Sequence, residues 1–587
     1  MILQALTQHY EALSKLGKIA PPGWGTVKVS YALYINDDGE LEQVVCLKEH
    51  PKGEKRKKER FVPQEMRLPA PVKRSSGIAP NFLCDNSSYI LGVDAKGKPE
   101  RSKKCFLAAG ELHRKILQSV DSPASRALLA FFRNWNPEQA LEHPALKDFL
   151  EEIIAGANLV FRYNFSYIHE DPAVCQAWDQ YNATEIDENS PQMRCLVTGK
   201  KGPVEAVHPS IKGVAGAQSS GASLVSFNAP AFCSYGKEQN FNAPVSKYAT
   251  FAYTTALNHL LADRKHVYHM GDATVVFWAD SGEEAYQDFM SFSVFDQDSS
   301  YDAEDLEEIT KELCQGNYAP FEESQLDPNM KFYILGLSPN SARLSVRFFL
   351  QNSFGVFLKN VQAHHERLEI VRPSYDKFAT IPLWKLLDET VNQHSRNKSP
   401  LPNLAGETLR AILTNTPYPA QLLQGVQLRI RAESEITRGR AAIIKAYYTR
   451  KPTGFPEEVL TVSLNPNSTS VPYVLGRLFS VLEAIQSDAL GNTNTTIKDR
   501  YFNAASSAPA HVFPTLINLA QKHMKKLKND PSKIHWAKRY SIELGEIMDK
   551  LGESYPTHLS IPEQGAFQLG YYHQTQNRYT KKNKEEN

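Results

Sequence analysis

Cysteine is scarce in this sequence and never closely paired. Seven occur in 587 residues (Cys46, Cys84, Cys105, Cys175, Cys195, Cys233 and Cys314), and no two form a CxxC. An odd number at long spacings argues against a disulfide scaffold and fits a reducing compartment. Long apolar runs are absent as well, none approaching the ~20 residues of a membrane span. The opening MILQALTQHYEALSKLGK sets Ile2, Leu3, Leu6, Tyr10, Leu13 and Leu16 near helical spacing but interrupts them with Gln4, Gln8 and His9. It predicts an amphipathic helix packed on the body rather than a signal peptide, and so a soluble cytoplasmic protein with no membrane partner. An excess of either charge is missing too. With 66 cations against 65 acids, any nucleic-acid role has to rest on local patches.

The chemistry-bearing motifs are equally sparse. There is no GxSxG elbow, no convincing Cys–His pair and no GxxxxGK[ST] phosphate loop. The glycines of GVAGAQSSGAS lack the GxGxxG spacing and acidic partner of a dinucleotide fold. His266 and His269, and the cluster His364-His365-Glu366, fall outside HExxH and zinc-finger spacing. In DQDSSYDAEDLE, Asp296, Asp298, Ser300 and Glu307 fall on calcium-loop positions 1, 3, 5 and 12, but Tyr301 stands where the sharp turn needs glycine. The expectation is no catalytic residue, no cofactor and no resident metal.

What is present is a mixture of periods. Residues 26–47 alternate as strands around NDDG and predict a hairpin. The run KEHPKGEKRKKER (48–60) holds seven cations against three acids, either a solvated loop or a phosphate contact. Residues 105–118, 124–133 and 145–160 predict helices, 245–263 a further helix, 265–280 a hairpin and 332–350 strand-loop-strand. Residues 281–327, with fourteen acids and one cation, are expected to face solvent or a basic partner. Beyond 400 the pattern becomes helical: 406–416, 420–432, 436–448, 474–488, 511–528 and 532–551. The fold class is α+β: a mixed body of short antiparallel sheets and helices over 1–400, a helical connection over 401–470 and a C-terminal α-helical bundle over 471–587.

Two small-residue loops carry nucleic-acid chemistry on residue type alone. In KRSSGIAPNFLCDN, Lys73 and Arg74 suit phosphates, Ser75 and Ser76 donate at short range, and Asn81 offers a donor and an acceptor to a base edge. A plain turn between strands is the competing reading. In GVAGAQSSGAS (213–223), small residues admit close backbone approach and Gln218, Ser219 and Ser220 fall at the tip. A glycine-rich connection is the alternative there.

Long strings in order along the chain carry a resemblance: MILQAL and HYE, GIAPNFLCDN, CLVTG, HPSIKGVAGAQSSGASLVSFN, ALNHLLAD, LGLSPNSARLSVRFF and GAFQLGYYHQ. The chain resembles the large subunit of the type I-C (Dvulg-subtype) CRISPR surveillance complex, Cascade. That resemblance implies a non-catalytic subunit near the 5′ handle of the guide CRISPR RNA. It would read the protospacer-adjacent motif (PAM) on double-stranded target DNA and promote R-loop formation. It would also stabilise the displaced strand and help recruit a helicase–nuclease. The guide reads the remaining bases by pairing, the division of labour of RNA-guided recognition generally. Implied partners are the guide RNA, the backbone, handle-binding and small subunits, target DNA and the helicase–nuclease. In such systems a small subunit arises from an internal start. No methionine lies between Met330 and Met524, so a product holding the whole bundle would begin at a non-AUG codon near Val471.

Within that frame, residue chemistry assigns motif reading to Lys73, Arg74, Ser75, Ser76 and Asn81, and strand separation to Gln218, Ser219 and Ser220. DNA-backbone contact falls to Lys55, Arg56, Lys57, Lys58, Lys522, Lys525, Lys526, Lys528, Lys538 and Arg539. Asn340, Arg343 and Arg347 are candidates for guide RNA or a partner. The competing classes are a metal-dependent nuclease of the same pathway and a purely architectural subunit.

Overall fold

The structure, a computed structural model, describes residues 1–49, 61–72, 77–187, 191–295, 303–393, 395–396, 399–491 and 495–585. The chain forms two compact units, Met1–Pro209 with Val225–His259, and Ser210–Leu224 with Leu260–Asn587. The α+β class holds, with short sheets toward the N-terminus and helices toward the C-terminus.

The first unit begins with helix Ile2–Lys15, whose buried Tyr10 packs on Ala252 and Ala256 of helix Lys247–Ala262. Its strands are Trp24–Val29 (β1), Tyr31–Ile35 (β2), Leu41–Cys46 (β3), Gln64–Pro69 (β4), Cys84–Asn86 (β5), Asn158–Tyr163 (β6) and Ser166–Tyr167 (β7). The main sheet runs β3-β2-β6-β5, with β7 on β6, and β1 pairs β4 separately. Pairing is antiparallel except between β2 and β6. Residues 26–47 are therefore not one hairpin, as their alternation predicts. The break is at buried Ser30, whose N–H donates to the Asn158 carbonyl (3.1 Å) while its carbonyl accepts the Leu47 N–H (2.8 Å). Only β2 and β3 form the hairpin. Gly39 in its turn has φ +76°, and a Cβ there would lie 2.2 Å from the Phe131 nitrogen, so the turn requires glycine.

Helices Pro99–Leu117 and Pro123–Asn134 pack against this sheet around Phe106, Leu117, Leu128 and Phe131. The helix expected over 145–160 is absent. A short helix, Leu150–Ile154, ends before Gly156 (φ +113°), and residues 158–163 enter the sheet as β6. The run Leu159-Val160-Phe161 is fully buried there, where β-branched and aromatic side chains suit a central strand. Short strands Gln192–Arg194 (β8) and Lys201–Pro203 (β9) form a further hairpin.

The second unit centres on an antiparallel sheet, β10-β11-β14-β15, from Val267–Met270 (β10), Ala273–Ala279 (β11), Lys331–Asn340 (β14) and Arg343–Ser353 (β15). A small hairpin, Ala319–Phe321 (β12) with Ser324–Leu326 (β13), precedes β14. Every residue of β11 is buried, as are Phe332–Ser338 of β14. The acidic stretch is not simply solvated: helix Ala285–Phe295 buries Tyr286, Phe289 and Met290, and helix Ala303–Gln315 follows. One apolar core continues from Met270 to Tyr572. It includes the closing helices Val471–Leu490, Ile497–Ser507, Pro509–Asn529, Ile534–Met548 and Ile561–Glu585. Helices 471–490 and 561–585 touch backbone to backbone. A Cβ on Gly476 would sit 1.9 Å from the Phe567 carbonyl oxygen, and one on Gly570 2.1 Å from that of Tyr473. No helix among the described residues is long and apolar enough to cross a membrane.

Candidate nucleic-acid interface

Lys55–Lys58 and Lys73–Ser76 lie outside the described residues. The flanks of the second group are well defined. The Asn81 carboxamide oxygen accepts the Val72 N–H at 3.0 Å, and the Asn81 N–H donates to Asp85 Oδ2 at 2.9 Å. Val72 and Asn81, which flank the second group, are thereby clasped to one another. Exposed Gly77 (φ +91°) is tied through its carbonyl to Arg101 (3.1 Å). The chain continues through Leu83 (φ +64°), whose N–H donates to His113 Nε2 at 3.0 Å. His113 Nδ1 lies 2.8 Å from the Ala109 carbonyl, so Nδ1 carries the proton and Nε2 accepts. Full burial, with rings of Phe82 and Phe132 on either side, pulls the His113 pKa down to about 4 and keeps it neutral.

β5 runs antiparallel to β6, with Cys84 opposite Val160. The chain carrying Asn81 therefore enters at the end of the sheet where β6 turns into β7. That turn holds Phe165, 87% exposed at φ +66°, after Asn164 at φ +44°. The Arg162 guanidinium braces it from within, bonding the Phe165 carbonyl and lying 4.8 and 4.6 Å from the ring centres of Tyr34 and Tyr167. Sequence reasoning passed over Phe165. Its signal was a two-residue link, Asn-Phe, with a bulky residue where such turns favour glycine.

The 213–223 loop is held differently. Ile211 and Ala222 exchange backbone hydrogen bonds at its neck (2.8 and 2.9 Å), and the Ala215 N–H donates to the buried Thr274 hydroxyl (3.0 Å). Ser223 inserts beside the β14–β15 turn, donating to the Ala342 carbonyl and accepting from the Leu344 N–H, each at 3.0 Å. Gly213, Gly216 and Gly221 all have positive φ. At Gly221 a Cβ would lie 2.8 Å from both the Ile211 oxygen and the Ser210 Cβ. Gln218, Ser219 and Ser220 are exposed at the tip, closed by a Gly221 N–H to Gln218 carbonyl bond of 2.9 Å. Docking on the β14–β15 turn brings this loop beside Asn340, exposed at that turn, and half-buried Arg343. Arg347 pairs with Asp272.

In the bundle, Lys522, Lys525, Lys526 and Lys528 are all exposed on helix 509–529, but they are not a stripe. At 100° per residue they fan over about 160° of the helix. Lys525 and Lys528 rim a cleft of about 560 Å³ lined by Leu482, Met524, Leu544 and Met548. Lys538 is exposed on the next helix, and the Arg539 guanidinium sits 5.7 Å from the Trp536 ring centre.

One histidine of each pair, His266 and His364, is buried in polar contacts. His266 is buried between Asp263 and Asp288, with Nε2 2.9 Å from Asp288 Oδ1, and Lys265 also pairs with Asp288. Burial opposes its charge, but the two carboxylates overcome this and lift its pKa to about 9. Buried His364 meets the Tyr418 hydroxyl at 2.7 Å. Among the described residues, no three His, Cys, Asp or Glu side chains gather as metal ligands.

A family model described as CRISPR-associated protein (Cas_Csd1) matches residues 6–579, and the chain belongs to that family. No curated protein matches it.

Proposed function

We propose that this CRISPR-associated protein is the non-catalytic large subunit of a type I-C Cascade complex, acting in the cytoplasm. In this reading it recognises the protospacer-adjacent motif in duplex DNA, promotes R-loop formation and helps recruit a helicase–nuclease. The observation that supports it, beyond the family, is the 213–223 loop. Its backbone is held by the Ile211–Ala222 bridge, three glycines and the β14–β15 turn, and the side chains of Gln218, Ser219 and Ser220 are exposed at its tip. Rigid presentation of short polar side chains suits entry between base pairs or into a groove. Asn340 and Arg343 beside the loop would contact guide RNA or a partner subunit. Lys73, Arg74, Ser75, Ser76 and Asn81 would read the motif. The bundle over 471–587 would act like a small subunit, its lysines beside the displaced strand.

The test is affinity of the guide-loaded complex for duplexes with and without the motif, at two salt concentrations. Gln218→Ala should narrow the difference between the duplexes by ~1–3 kcal/mol per lost base contact while leaving the salt slope unchanged. An unchanged preference in both Gln218→Ala and a Lys73/Arg74 double variant would defeat the motif-reading role.

A further inference from the structure

Tyr235 is the most exposed aromatic side chain among the described residues, at 99%. It occupies the second position of a tight turn, Ser234–Lys237, closed by the Lys237 N–H on the Ser234 carbonyl at 3.0 Å. Its φ is +55° and that of Gly236 +66°, the backbone of a turn that favours asparagine or glycine at both central positions. A tyrosine there does nothing for the fold, since its backbone is disfavoured and its ring buries no surface. The turn is nevertheless rigidly built. Asn242 Nδ2 donates to the carbonyls of Lys237 (3.0 Å) and Gln239 (2.9 Å), and its Oδ1 accepts the Ser234 N–H (2.8 Å).

The base of this loop is tied to the β8–β9 hairpin. The Asn240 N–H donates to the Ala206 carbonyl (3.2 Å), and the Leu196 N–H to that of Pro244 (2.9 Å). Over 191–209 and 225–247, lysine and arginine outnumber acids five to two, with exposed Glu238 next to Lys237. Arg194, Lys200, Lys201 and Lys237 are exposed. Phe232, 46% exposed on the same loop, adds a second apolar surface.

We infer that Tyr235 and Lys237 form a stacking site for an unpaired nucleotide, the ring taking a base face and the ammonium its phosphate. The inference rests on the reading of this chain as a nucleic-acid-binding subunit, but it needs neither motif nor duplex. An exposed aromatic ring with a lysine in the same turn is the general chemistry of single-strand binding. Lysine, three of the four exposed cations, is depleted at protein–protein interfaces, which favours a polyanion over a protein surface here. Guide RNA and displaced DNA offer the same base and phosphate, so both are tested.

The experiment uses the full chain with motif-free single strands, one DNA and one RNA, each carrying a single 2-aminopurine. Affinity and fluorescence quenching are measured for wild type, Tyr235→Ala, Tyr235→Phe and Lys237→Gln, with thermal melting as the check on folding. Tyr235→Ala should lose quenching and roughly 5- to 100-fold in affinity, whereas Tyr235→Phe keeps both. Lys237→Gln should keep quenching but weaken binding at low salt and flatten the salt dependence. The strand that shows the larger Tyr235 effect identifies the source. Wild-type-like binding and quenching by Tyr235→Ala overturns the inference, and so does a wild-type chain that binds neither strand. A Tyr235→Ala chain that binds strands normally but no longer co-purifies with the other subunits also overturns it, in favour of a protein contact. Failure of motif preference in the duplex assay leaves these outcomes unaffected.

Discussion

The two loops look alike on paper, both short stretches of Gly, Ser and Ala with a polar amide, yet they are built on opposite plans. At the first, the flanking residues Val72 and Asn81 are joined by a side chain, the Asn81 oxygen accepting the Val72 N–H. The 213–223 loop is closed by backbone, through Ile211 and Ala222, Ser223 and three left-handed glycines. A side chain that joins two flanks uses up the group that might otherwise read a base. A loop closed by its backbone leaves the side chains of Gln218, Ser219 and Ser220 uncommitted to closure. The contrast assigns Asn81 a holding role for its oxygen and leaves only its amide nitrogen for recognition.

The harshest way to break this contrast is Gly221→Val. The new side chain combines a disfavoured positive φ with a Cβ 2.8 Å from backbone. Together they should cost roughly 3–5 kcal/mol, read as a lower denaturant midpoint, with motif preference lost as the loop lifts from the β14–β15 turn. A wild-type midpoint would mean that the bridge at the neck is not rigid.

Two buried histidines, one beside the Asn81 segment and one in the second unit, separate under pH. His113 in the first unit is neutral, its pKa lowered from 6.5 to about 4, whereas His266 in the second unit is charged, raised from 6.5 to about 9. Between about pH 4 and 6.5 the unfolded chain binds a proton at His113 that the folded chain refuses, so stability falls as pH falls through that window. For His266 the folded chain holds the extra proton. Its contribution is complete below 6.5 and is lost as pH rises to about 9. Each contribution is on the order of 3 kcal/mol. Hydrogen exchange should show Leu83 losing protection in acid and Lys265–His266 losing it in alkali. Parallel loss at both places would contradict the assignment of charge states.

Asn81→Ala is milder, about 1 kcal/mol, because the Val72 N–H it abandons is close to solvent. Its use is in comparison with Asn81→Asp, which keeps an acceptor for Val72 and removes the amide donor. If the oxygen only joins the two flanks, exchange at Val72 quickens in the alanine variant and not in the aspartate one. Motif preference then reports on the nitrogen alone.

Much of the helical half was legible because packing and propensity agree there. Residues 420–432 and 436–448 appear as Ala420–Glu433 and Arg438–Arg450, within two residues at each end. The failures fall where tertiary pairing overrides local period. Ser30 splits one alternating run between two sheets, and Leu159-Val160-Phe161 joins a sheet whose partners lie about 75 and 125 residues upstream. The site was legible in outline only. GVAGAQSSGAS announced a close-packed loop, but nothing local revealed that it docks at Asn340–Arg343, over a hundred residues on. Phe165 and Tyr235 escaped because an exposed aromatic is informative only once its φ and its surroundings are known.

The smallest effect belongs to the bundle, and it tests whether a surface without a loop can act like one. Four exposed lysines on helix 509–529 fan over about 160°, so no straight strand can meet them all at once. Lys525 and Lys528 share the rim of one cleft, while Lys522 and Lys526 turn away from it. A strand along the cleft predicts that Lys525→Gln with Lys528→Gln lowers single-strand affinity less than tenfold. The salt slope should fall by about 0.7 for each lost phosphate contact, with motif preference intact. The Lys522/Lys526 pair should then do almost nothing. Equal effects from both pairs would mean that the helix acts as a diffuse positive surface, and that defined contacts are confined to the rigid loops.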